Sequence, residues 1–513
     1  MTEVDSRRCA AALWPIAVCG TCAAAIVGFW ITGYSLTQGR SGVPLDDAWI
    51  HFQFARNIAE GTGFAFNPGE PTAGSTSPLW TLMLAAVYWA GGSFPLAGQV
   101  LSAVTYLAIP LATYALARSL VRCDWLAWLS GLVVALNGRL VWAGLSALET
   151  GVFTTLALLS VRSYLTDRRD RVLRWSTALL LGLATLARPE GYLLSALVFT
   201  DSLLTQVRHR ARRGCSTIGQ LVWPGLLYCV VVMPYIVFSF VSSGHLLPNT
   251  YHAKVGVSTR IDWSFLSVAA KYLILDNVLL MPFFVFGLIL LAPQKPVLVL
   301  WCVGLPIGYA LIHAIPYQHG RYLMPLIPFN AAVACYGVRE FHEWVSYRWR
   351  TVADALKRWR VAGCALALLA TAWRLPTMAQ QYAWNVDNIS SMHVEVGLWI
   401  DAHTPEEAVL ALNDIGAITY ISRRYAVDLA GLVTPEVVPI LRGEDAAGGL
   451  ARFMAREGVD YAVVFPNWFP ELVSHSDWLE PVHSVELTRN TIAGGPRLVV
   501  YQTNWPTWSP SAQ

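Results

Sequence analysis

Asp46 and Asp47 are the residues of this sequence best suited to carry out chemistry. They precede a segment in which Ile50, Phe54 and Ile58 repeat at helical spacing, and this stripe predicts a helix that can lie on a membrane surface. One carboxylate suffices to cap a helix, whereas two neighbouring carboxylates repel each other unless a cation or a substrate proton is present. One of the pair can therefore serve as a general base while the other orients it or holds a divalent ion. The alternative is that they only cap the helix.

Three basic residues, Arg188, Lys254 and Arg321, lie at the predicted outer ends of membrane spans, where basic residues are uncommon. A charged side chain at membrane depth is costly, so each of them needs a partner. The phosphate of an anionic lipid is a suitable partner, and arginine can bind it through two parallel hydrogen bonds. His319 can bind the same phosphate or a metal, although a single histidine is more often structural.

Two glutamates, Glu149 and Glu190, also stand at predicted span ends. Each is either a supporting residue of the site or an ordinary solvated or capping carboxylate. Together with Asp276 they offer the basic residues an internal ion pair, which is the alternative to phosphate binding. Asn249 and Tyr251 belong to the same segment as Lys254 and are expected to support the phosphate site.

The composition shows what kind of protein must position these residues. The chain has 513 residues, of which 55% are hydrophobic and 13% charged, with a mean hydropathy of +0.46. Soluble proteins have roughly 25% charged residues, so a soluble enzyme, a disordered chain and a disulfide-rich miniprotein are excluded. The net charge of +3 gives no reason to expect a nucleic-acid partner. The chain is predicted to be an α-helical polytopic membrane protein.

The distribution of basic residues decides which apolar blocks cross the membrane. Arg7 and Arg8 predict a cytoplasmic N-terminus, and the most basic loops, at 167–174, 208–213 and 339–360, are expected on the same side. All three loops fall on the cytoplasmic side only if block 78–93 does not cross the membrane and stays at the outer face as an interfacial or re-entrant helix. About eleven spans and an outer C-terminus result. The twelve blocks lie near residues 11–34, 78–93, 97–117, 125–138, 149–166, 174–187, 190–206, 218–240, 277–292, 296–314, 322–338 and 361–374.

The chain is expected to have two domains. Residues 1–384 form the membrane domain, with a first outer loop at 35–96, and residues 385–513 have the composition of a soluble α/β domain on the outer side. In the latter, 408–412 and 461–465 predict buried strands, and 393–403 and 448–457 predict helices. Residues 413–418 (NDIGAI) join a strand to a helix; they can contact a polar ligand, but a helix cap is the favoured interpretation.

Six segments of the chain are similar to those of a known superfamily. The sequence resembles the bacterial GT-C glycosyltransferases, polytopic enzymes that use polyprenyl-phosphate sugars, and within them the actinobacterial terminal arabinofuranosyltransferases. The motifs are specific to the superfamily and carry little information about the sugar. They are residues 46–80 (DDAWIHFQFARNIAEGTGFAFNPGEPTAGSTSPLW), 145–153 (LSALETGVF), 186–194 (LARPEGYLL), 247–256 (LPNTYHAKVG), 319–328 (HGRYLMPLIP) and 412–433 (LNDIGAITYISRRYAVDLAGLV).

The resemblance implies an inverting transferase of the bacterial inner membrane whose reaction takes place on the extracytoplasmic face. The acid of the first outer loop then maps onto Asp46 or Asp47. We expect Asp46 to be the general base and Asp47 to be a ligand of any divalent cation (Mg²⁺, Mn²⁺ or Ca²⁺). The family's phosphate-binding cations map onto Arg188, Lys254 and Arg321. Relatives often carry an acid where this chain has Ala73, which weakens a metal role for this loop.

Two functions stay open. The first is transfer of a sugar from a polyprenyl-phosphate donor to an envelope glycan or lipid, with transfer to protein or lipid A as a variant. The second is a transporter or flippase of a lipid-linked saccharide. A transporter predicts polar residues in the middle of several spans and paired repeats. Here the spans are apolar, no repeat is evident, and the polar residues gather at one predicted face, so the enzyme is favoured.

Overall fold

The computed structural model describes residues 3–213, 219–254, 261–312 and 318–506. The helices in this part of the chain are α1 (Glu3–Leu36), α2 (Asp47–Ala59), α3 (Pro78–Trp89), α4 (Leu96–Val121), α5 (Asp124–Ala135), α6 (Gly138–Gly144), α7 (Thr150–Asp170), α8 (Trp175–Ala187), α9 (Glu190–Arg213), α10 (Gly219–Ser243), α11 (Asn249–Lys254), α12 (Trp263–Asp276), α13 (Met281–Leu291), α14 (Pro296–Leu311), α15 (Ile327–Arg348), α16 (Arg350–Arg358), α17 (Arg360–Ala372), α18 (Leu375–Asn388), α19 (Glu395–His403), α20 (Gly416–Ser422), α21 (Val437–Leu441), α22 (Ala446–Arg456) and α23 (Pro470–Val473). A kinked 3₁₀ segment covers Gln318–Leu326, and a π-helical turn covers Ile389–Val394. The strands are β1 (Val409–Leu412), β2 (Tyr425–Asp428), β3 (Tyr461–Val464), β4 (Leu479–Glu486) and β5 (Arg497–Thr503).

The chain divides into two compact units, each built from separate stretches of sequence. The first unit contains Met1–Ile31, Val100–Pro234 and Gly256–Gln380. The second unit contains Thr32–Gln99, Tyr235–Val255 and Gln381–Gln513. The C-terminal region and most of the region predicted as the first outer loop therefore belong to one unit. The predicted domain boundary at residue 384 instead places these two regions in different domains.

Long apolar helices confirm that the chain is a membrane protein. Four described helices are long and apolar enough to cross a bilayer, namely Trp14–Leu36, Leu96–Val121, Gln220–Ser243 and Arg360–His403. Two bent pairs, α5 with α6 at 62° and α12 with α13 at 112°, raise that number to six if each pair is one span. Three shorter apolar helices, α3, α8 and α14, complete this set. The count of eleven spans stays a prediction.

Helix α12 was not predicted. It lies between the predicted spans 218–240 and 277–292, and only together with α13 is it long and apolar enough to cross a bilayer. Asp262 caps it by accepting the N–H groups of Ser264 and Phe265. A sequence window misses such a helix because its apolar stretch is short and follows a polar segment.

The C-terminal part of the second unit is an α/β domain with a five-stranded sheet in the order β2-β1-β3-β5-β4. Strands β2, β1 and β3 are parallel, and β5 and β4 join antiparallel to β3. Apolar residues cover both faces of the sheet, as expected for parallel strands, which are buried on both sides. The two predicted strands and two predicted helices are confirmed as β1, β3, α22 and the π-helical turn with α19. Strands β2, β4 and β5 were not predicted.

Helix α2 is buried and does not lie on a surface, so that expectation is wrong. Nine of its 13 residues are buried, and these include polar ones. The helix packs within the second unit against α3 and α20. The apolar stripe that predicts a surface helix accounts for only some of the buried residues of α2. Polar residues on the other side are accommodated because nearby loops supply hydrogen-bond partners. The buried residues are Ala48, Trp49, His51, Phe52, Gln53, Phe54, Ala55, Arg56 and Asn57.

Candidate functional site

Asp46 immediately precedes α2, but its carboxylate does not cap that helix. Instead, its Oδ2 accepts the backbone N–H of Gly416 and its Oδ1 accepts the backbone N–H of Ala417, each at 2.7 Å. These are the first two residues of α20, which lies about 370 residues further along the chain. Only 8% of Asp46 is exposed. The alternative of a local cap is therefore wrong for Asp46, and the carboxylate is held in one orientation by two bonds.

The need for this contact originates in the sequence of α20. Its N-cap residue is Ile415, whose side chain has no acceptor, so the first N–H groups of the helix need one from elsewhere. Glycine at position 416 permits the close approach, because a Cβ there would lie 2.3 Å from the backbone oxygen of Asp46 and 2.6 Å from its Oδ2. The favoured interpretation of residues 413–418 as a helix cap is wrong in detail, because Asp46 supplies the acceptor.

A second acid and a histidine lie near Asp46. His393, in the π-helical turn, is completely buried, and its Nε2 lies 2.9 Å from Oδ2 of Asp414. Burial raises the pKa of Asp46 to about 6; His393 opposes the shift, Asp414 adds to it, and the N–H groups of Ala417 and Gly416 oppose it. At neutral pH the carboxylate is therefore mostly ionised and is a stronger base than an ordinary aspartate.

The loop after α2 is fixed to α2 and to the sheet. Gln53 Nε2 donates to the carbonyl of Phe66 at 2.8 Å, and Asn57 Nδ2 donates to the same carbonyl at 2.8 Å. Asn67 pairs with the backbone of Ala426 in strand β2, as both donor and acceptor, at 3.0 Å each. Residues 67–70 (NPGE) form a turn in which Glu70 N–H donates to the carbonyl of Asn67 at 3.1 Å. These bonds give the chain around Asp46 a defined position.

Residues 72–74 are hydrogen-bonded to the first two residues of α11. Asn249 N–H donates to the carbonyl of Ala73 at 3.1 Å, and Thr250 Oγ1 donates to the carbonyl of Gly74 at 2.8 Å. The buried side chain of Asn249 also donates to Thr72 Oγ1 at 3.3 Å. Tyr251 is exposed. Lys254 ends α11, and its side chain lies outside the described residues.

In the first unit, Arg188 forms a buried cluster with Glu149 and Glu190. Its Nη1 lies 2.6 Å from Glu149 Oε1, and its Nε and Nη2 lie 2.8 and 2.7 Å from Glu190 Oε1. Tyr309 donates its hydroxyl to the same Glu190 oxygen. This is the internal ion pairing that the sequence left open as the alternative to phosphate binding. Two carboxylates around one guanidinium leave the cluster with a net charge of −1.

Arg321 lies near this cluster through a shared aromatic ring. The guanidinium carbons of Arg188 and Arg321 lie 5.6 and 5.2 Å from the ring centre of Tyr322. Nη2 of Arg321 is 3.4 Å from the Tyr322 hydroxyl, and 8% of Arg321 is exposed. Both guanidinium groups therefore lie beside one aromatic ring, and Arg188 is the one that the two glutamates engage.

Arg139 is a residue that was not predicted and that positions Arg321's segment. Its Nε donates to the carbonyl of His319 at 2.8 Å, and its Nη2 donates to the carbonyl of Gly320 at 2.8 Å. Its Nη1 pairs with Asp276 at 2.7 Å. His319 has a φ of 60° and Gly320 of 65°, so this turn occupies the left-handed region. The sequence signal was a basic residue in an apolar stretch, which always requires partners.

The described residues do not fit a metal centre. None of them form a group of three or more His, Cys, Asp or Glu side chains that could hold an ion. Position 73 is a completely buried alanine, Ala73, and therefore supplies no carboxylate to this loop. Asp47, the proposed metal ligand, is half-buried in the first turn of α2.

Comparisons with known proteins show which solved structures share this fold. A family described as a domain of unknown function (DUF8728) matches residues 378–508. Comparison with curated proteins finds no match. The structure is similar to ArnT from Cupriavidus metallidurans in the apo state, with a TM-score of 0.61, 14% identity, and coverage of 96% of this chain and 98% of that one.

Two further structures share this likeness. ArnT from Cupriavidus metallidurans bound to undecaprenyl phosphate has a TM-score of 0.60 at 13% identity, with coverage of 94% of this chain and 97% of that one. The archaeal oligosaccharyltransferase AglB from Archaeoglobus fulgidus, in complex with an inhibitory peptide and a dolichol-phosphate, has a TM-score of 0.56 at 12% identity, with coverage of 96% and 74%. At these identities the likeness shows the fold alone, and this chain shares the fold of ArnT and AglB.

Proposed function

We propose that this chain is a membrane glycosyltransferase that transfers a sugar from a polyprenyl-phosphate donor to an envelope glycan or lipid, with inversion. The fold is that of ArnT and AglB, one structure of which contains undecaprenyl phosphate and another a dolichol-phosphate. Such a likeness supports a donor with a phosphate on a long isoprenoid chain. The apolar helices supply the membrane environment that this donor needs.

Asp46 is the general base in this proposal, and its geometry is the observation that carries it. The acceptor hydroxyl attacks the anomeric carbon from the face opposite the phosphate, the bond between that carbon and the phosphate oxygen breaks, and the hydroxyl proton passes to the Asp46 carboxylate. A base works best when its pKa lies near the working pH and its position is fixed. A pKa of about 6 and two N–H bonds from Gly416 and Ala417 meet both conditions. Each carboxylate oxygen keeps a further lone pair for the incoming proton. Asp47 is proposed to assist its orientation.

Arg321 is the proposed main contact of the donor phosphate. Phosphate is already a good leaving group, so cations that neutralise it replace a general acid. Arg188 is engaged by Glu149 and Glu190, which supports a role in holding the arginine pair together more than a free phosphate contact. Lys254 and His319 remain proposed contacts of the donor phosphate.

The location proposed for the protein is the bacterial inner membrane, crossed several times. The basic loops at 167–174, 208–213 and 339–360 support a cytoplasmic N-terminus. The C-terminal α/β domain and the first outer loop are then extracytoplasmic. Labelling of single cysteines introduced near Asp46 and Arg171 with a membrane-impermeant thiol reagent tests this, and equal labelling of both from outside contradicts it.

The decisive experiment incubates the purified full-length protein in nanodiscs with a panel of labelled polyprenyl-phosphate sugars. The acceptors are envelope glycan, lipid A and peptide, the last because AglB was solved with a peptide. Asp46→Asn is compared with Asp477→Asn, an exposed aspartate of the same unit. We expect transfer by the wild type and by Asp477→Asn, and a loss of at least about 100-fold in Asp46→Asn. Full activity in Asp46→Asn removes the base assignment.

The same experiment separates the enzyme from a transporter. A transporter moves the labelled saccharide across the bilayer while the label stays on the polyprenyl lipid, whereas a transferase forms a new covalent product. Translocation without product by the wild type therefore rejects the proposed function. A further comparison of Arg321→Ala with Arg321→Lys tests the phosphate contact, because loss of charge is expected to raise the KM for donor more than that for acceptor.

A further inference from the structure

The first unit contains a cavity whose walls carry five basic side chains. The cavity has a volume of about 370 Å³, within the range of small-ligand pockets. It lies where α4 and α7 end and where α14 begins. Three uncharged residues complete its walls, and no acidic residue lines it. The basic residues are Arg118, Arg122, Arg168, Arg169 and Lys295.

Only part of this positive charge is balanced by neighbouring acids. Arg118 pairs with Asp124, and Arg168 pairs with Asp201 at 2.6 Å. The other three cations have no ion pair with any residue in the described part of the chain. A cavity with three uncompensated cations and no lining acid has a strongly positive potential, which attracts a multiply charged anion.

Two ordinary explanations account for some of these cations but not all. Basic residues are favoured in the last turn of a helix by its dipole, and Arg118, Arg168 and Arg169 hold such positions. Lys295 is different because it is the N-cap residue of α14, where the dipole disfavours a positive charge. Burial and the nearby Arg168 and Arg122 lower the pKa of Lys295. A cation kept in this unfavourable position points to a bound anion.

The cavity is separate from the cluster around Arg188 and Glu149. Glu149 is the N-cap residue of α7, whereas Arg168 and Arg169 stand in its last turn. A rise of 1.5 Å per residue places these ends about 28 Å apart, which is close to the thickness of a bilayer's hydrocarbon core. The cavity therefore opens on the side that the charge pattern predicts to be cytoplasmic.

We infer that this cavity is a binding site for a phosphate group, carried either by the headgroup of an anionic phospholipid or by a soluble phosphate compound. Basic pockets between membrane helices on the cytoplasmic side recognise phospholipid headgroups by the same chemistry. Arginine guanidinium groups bind phosphate oxygens through paired hydrogen bonds, and lysine adds a point charge. The site is distinct from the proposed transfer reaction and does not depend on it.

The test measures bound lipid directly. Full-length protein is reconstituted in nanodiscs of phosphatidylcholine and phosphatidylglycerol, and native mass spectrometry gives the fraction of molecules that retain phosphatidylglycerol. We compare the wild type with Arg122→Gln/Lys295→Gln and with the charge-keeping variant Arg122→Lys/Lys295→Arg. A matched control, Arg348→Gln/Arg358→Gln, removes two exposed cations from the predicted cytoplasmic loop at 339–360.

The neutralised variant is expected to lose retention about tenfold, and the other two variants to stay within about twofold of the wild type. A second arm adds inorganic pyrophosphate to protein in phosphatidylcholine nanodiscs. If pyrophosphate raises the unfolding temperature of the wild type but not of the neutralised variant, the ligand is a soluble phosphate compound. Equal retention of phosphatidylglycerol in all four proteins, with no effect of pyrophosphate on any, overturns the inference.

Discussion

Replacing Gly416 by alanine tests whether the Asp46 carboxylate depends on the start of helix α20. The new Cβ would lie 2.3 Å from the backbone oxygen of Asp46 and 2.6 Å from its Oδ2. Ordinary contacts begin near 3.4 Å, so Asp46 must recede by about 1 Å. The two N–H bonds of 2.7 Å then lengthen to about 3.7 Å and no longer count as hydrogen bonds.

The expected cost follows from what is lost. Each hydrogen bond to a charged acceptor contributes about 1.5–3 kcal/mol, and partial compensation by water leaves a net loss of about 3 kcal/mol. For a unit of about 220 residues this lowers the apparent unfolding temperature by roughly 6–7 °C. If Asp46 is the base, a displacement of about 1 Å also lowers transfer about 100-fold.

The assay is thermal unfolding in nanodiscs, combined with a double-mutant cycle. Gly225→Ala is the matched control, because its Cβ meets nothing within 4 Å in helix α10. It is expected to leave the unfolding temperature unchanged or slightly raised. In the cycle, Gly416→Ala is combined with Asp46→Asn, and the two effects should not add because they act on one contact. A Gly416→Ala protein as stable as Gly225→Ala, or additive effects in the cycle, refutes this reasoning.

Three further perturbations have expected outcomes of similar size. Folding raises the pKa of Asp46 from 3.8 to about 6, so its favourable contribution to stability is present below pH 3.8 and is lost as the pH rises through about 6. The contribution amounts to about 3 kcal/mol. Unfolding temperatures measured between pH 4 and 7 should therefore fall with rising pH in the wild type, and Asp46→Asn should remove this dependence. Arg139→Lys keeps the charge but loses the fork that binds two carbonyl groups, and hydrogen exchange in residues 318–326 should speed up about tenfold or more; unchanged exchange shows that the turn does not need this arginine. Asn67→Ala leaves the N–H and C=O of Ala426 without their side-chain partner, so the free energy of unfolding should fall by about 2 kcal/mol. Asn67→Asp keeps the acceptor, and its free energy of unfolding should fall by about half as much.

The helices and part of the sheet could be predicted because their signals are local. The apolar blocks are long and uninterrupted, and each of them contains a helix. Strands β1 and β3 are short apolar runs, which identify buried parallel strands. Strand β4 could not be found in this way because it alternates between exposed and half-buried residues at an edge of the sheet. Helix α2 was placed on a surface because its polar residues gave no sign that distant loops would satisfy them.

The sequence alone determined that this is a membrane protein, that its C-terminal region is an α/β domain, and that Asp46 and Arg321 are unusual residues. These conclusions rest on composition, on local periodicity and on charges at positions where an unpartnered charge is costly. Only the tertiary structure decided the partners of those charges. Arg188 meets Glu149, which lies 39 residues earlier in the chain, and Asp46 meets the first N–H groups of α20 because the chain folds back over 370 residues. No spacing in the sequence encodes contacts of that length.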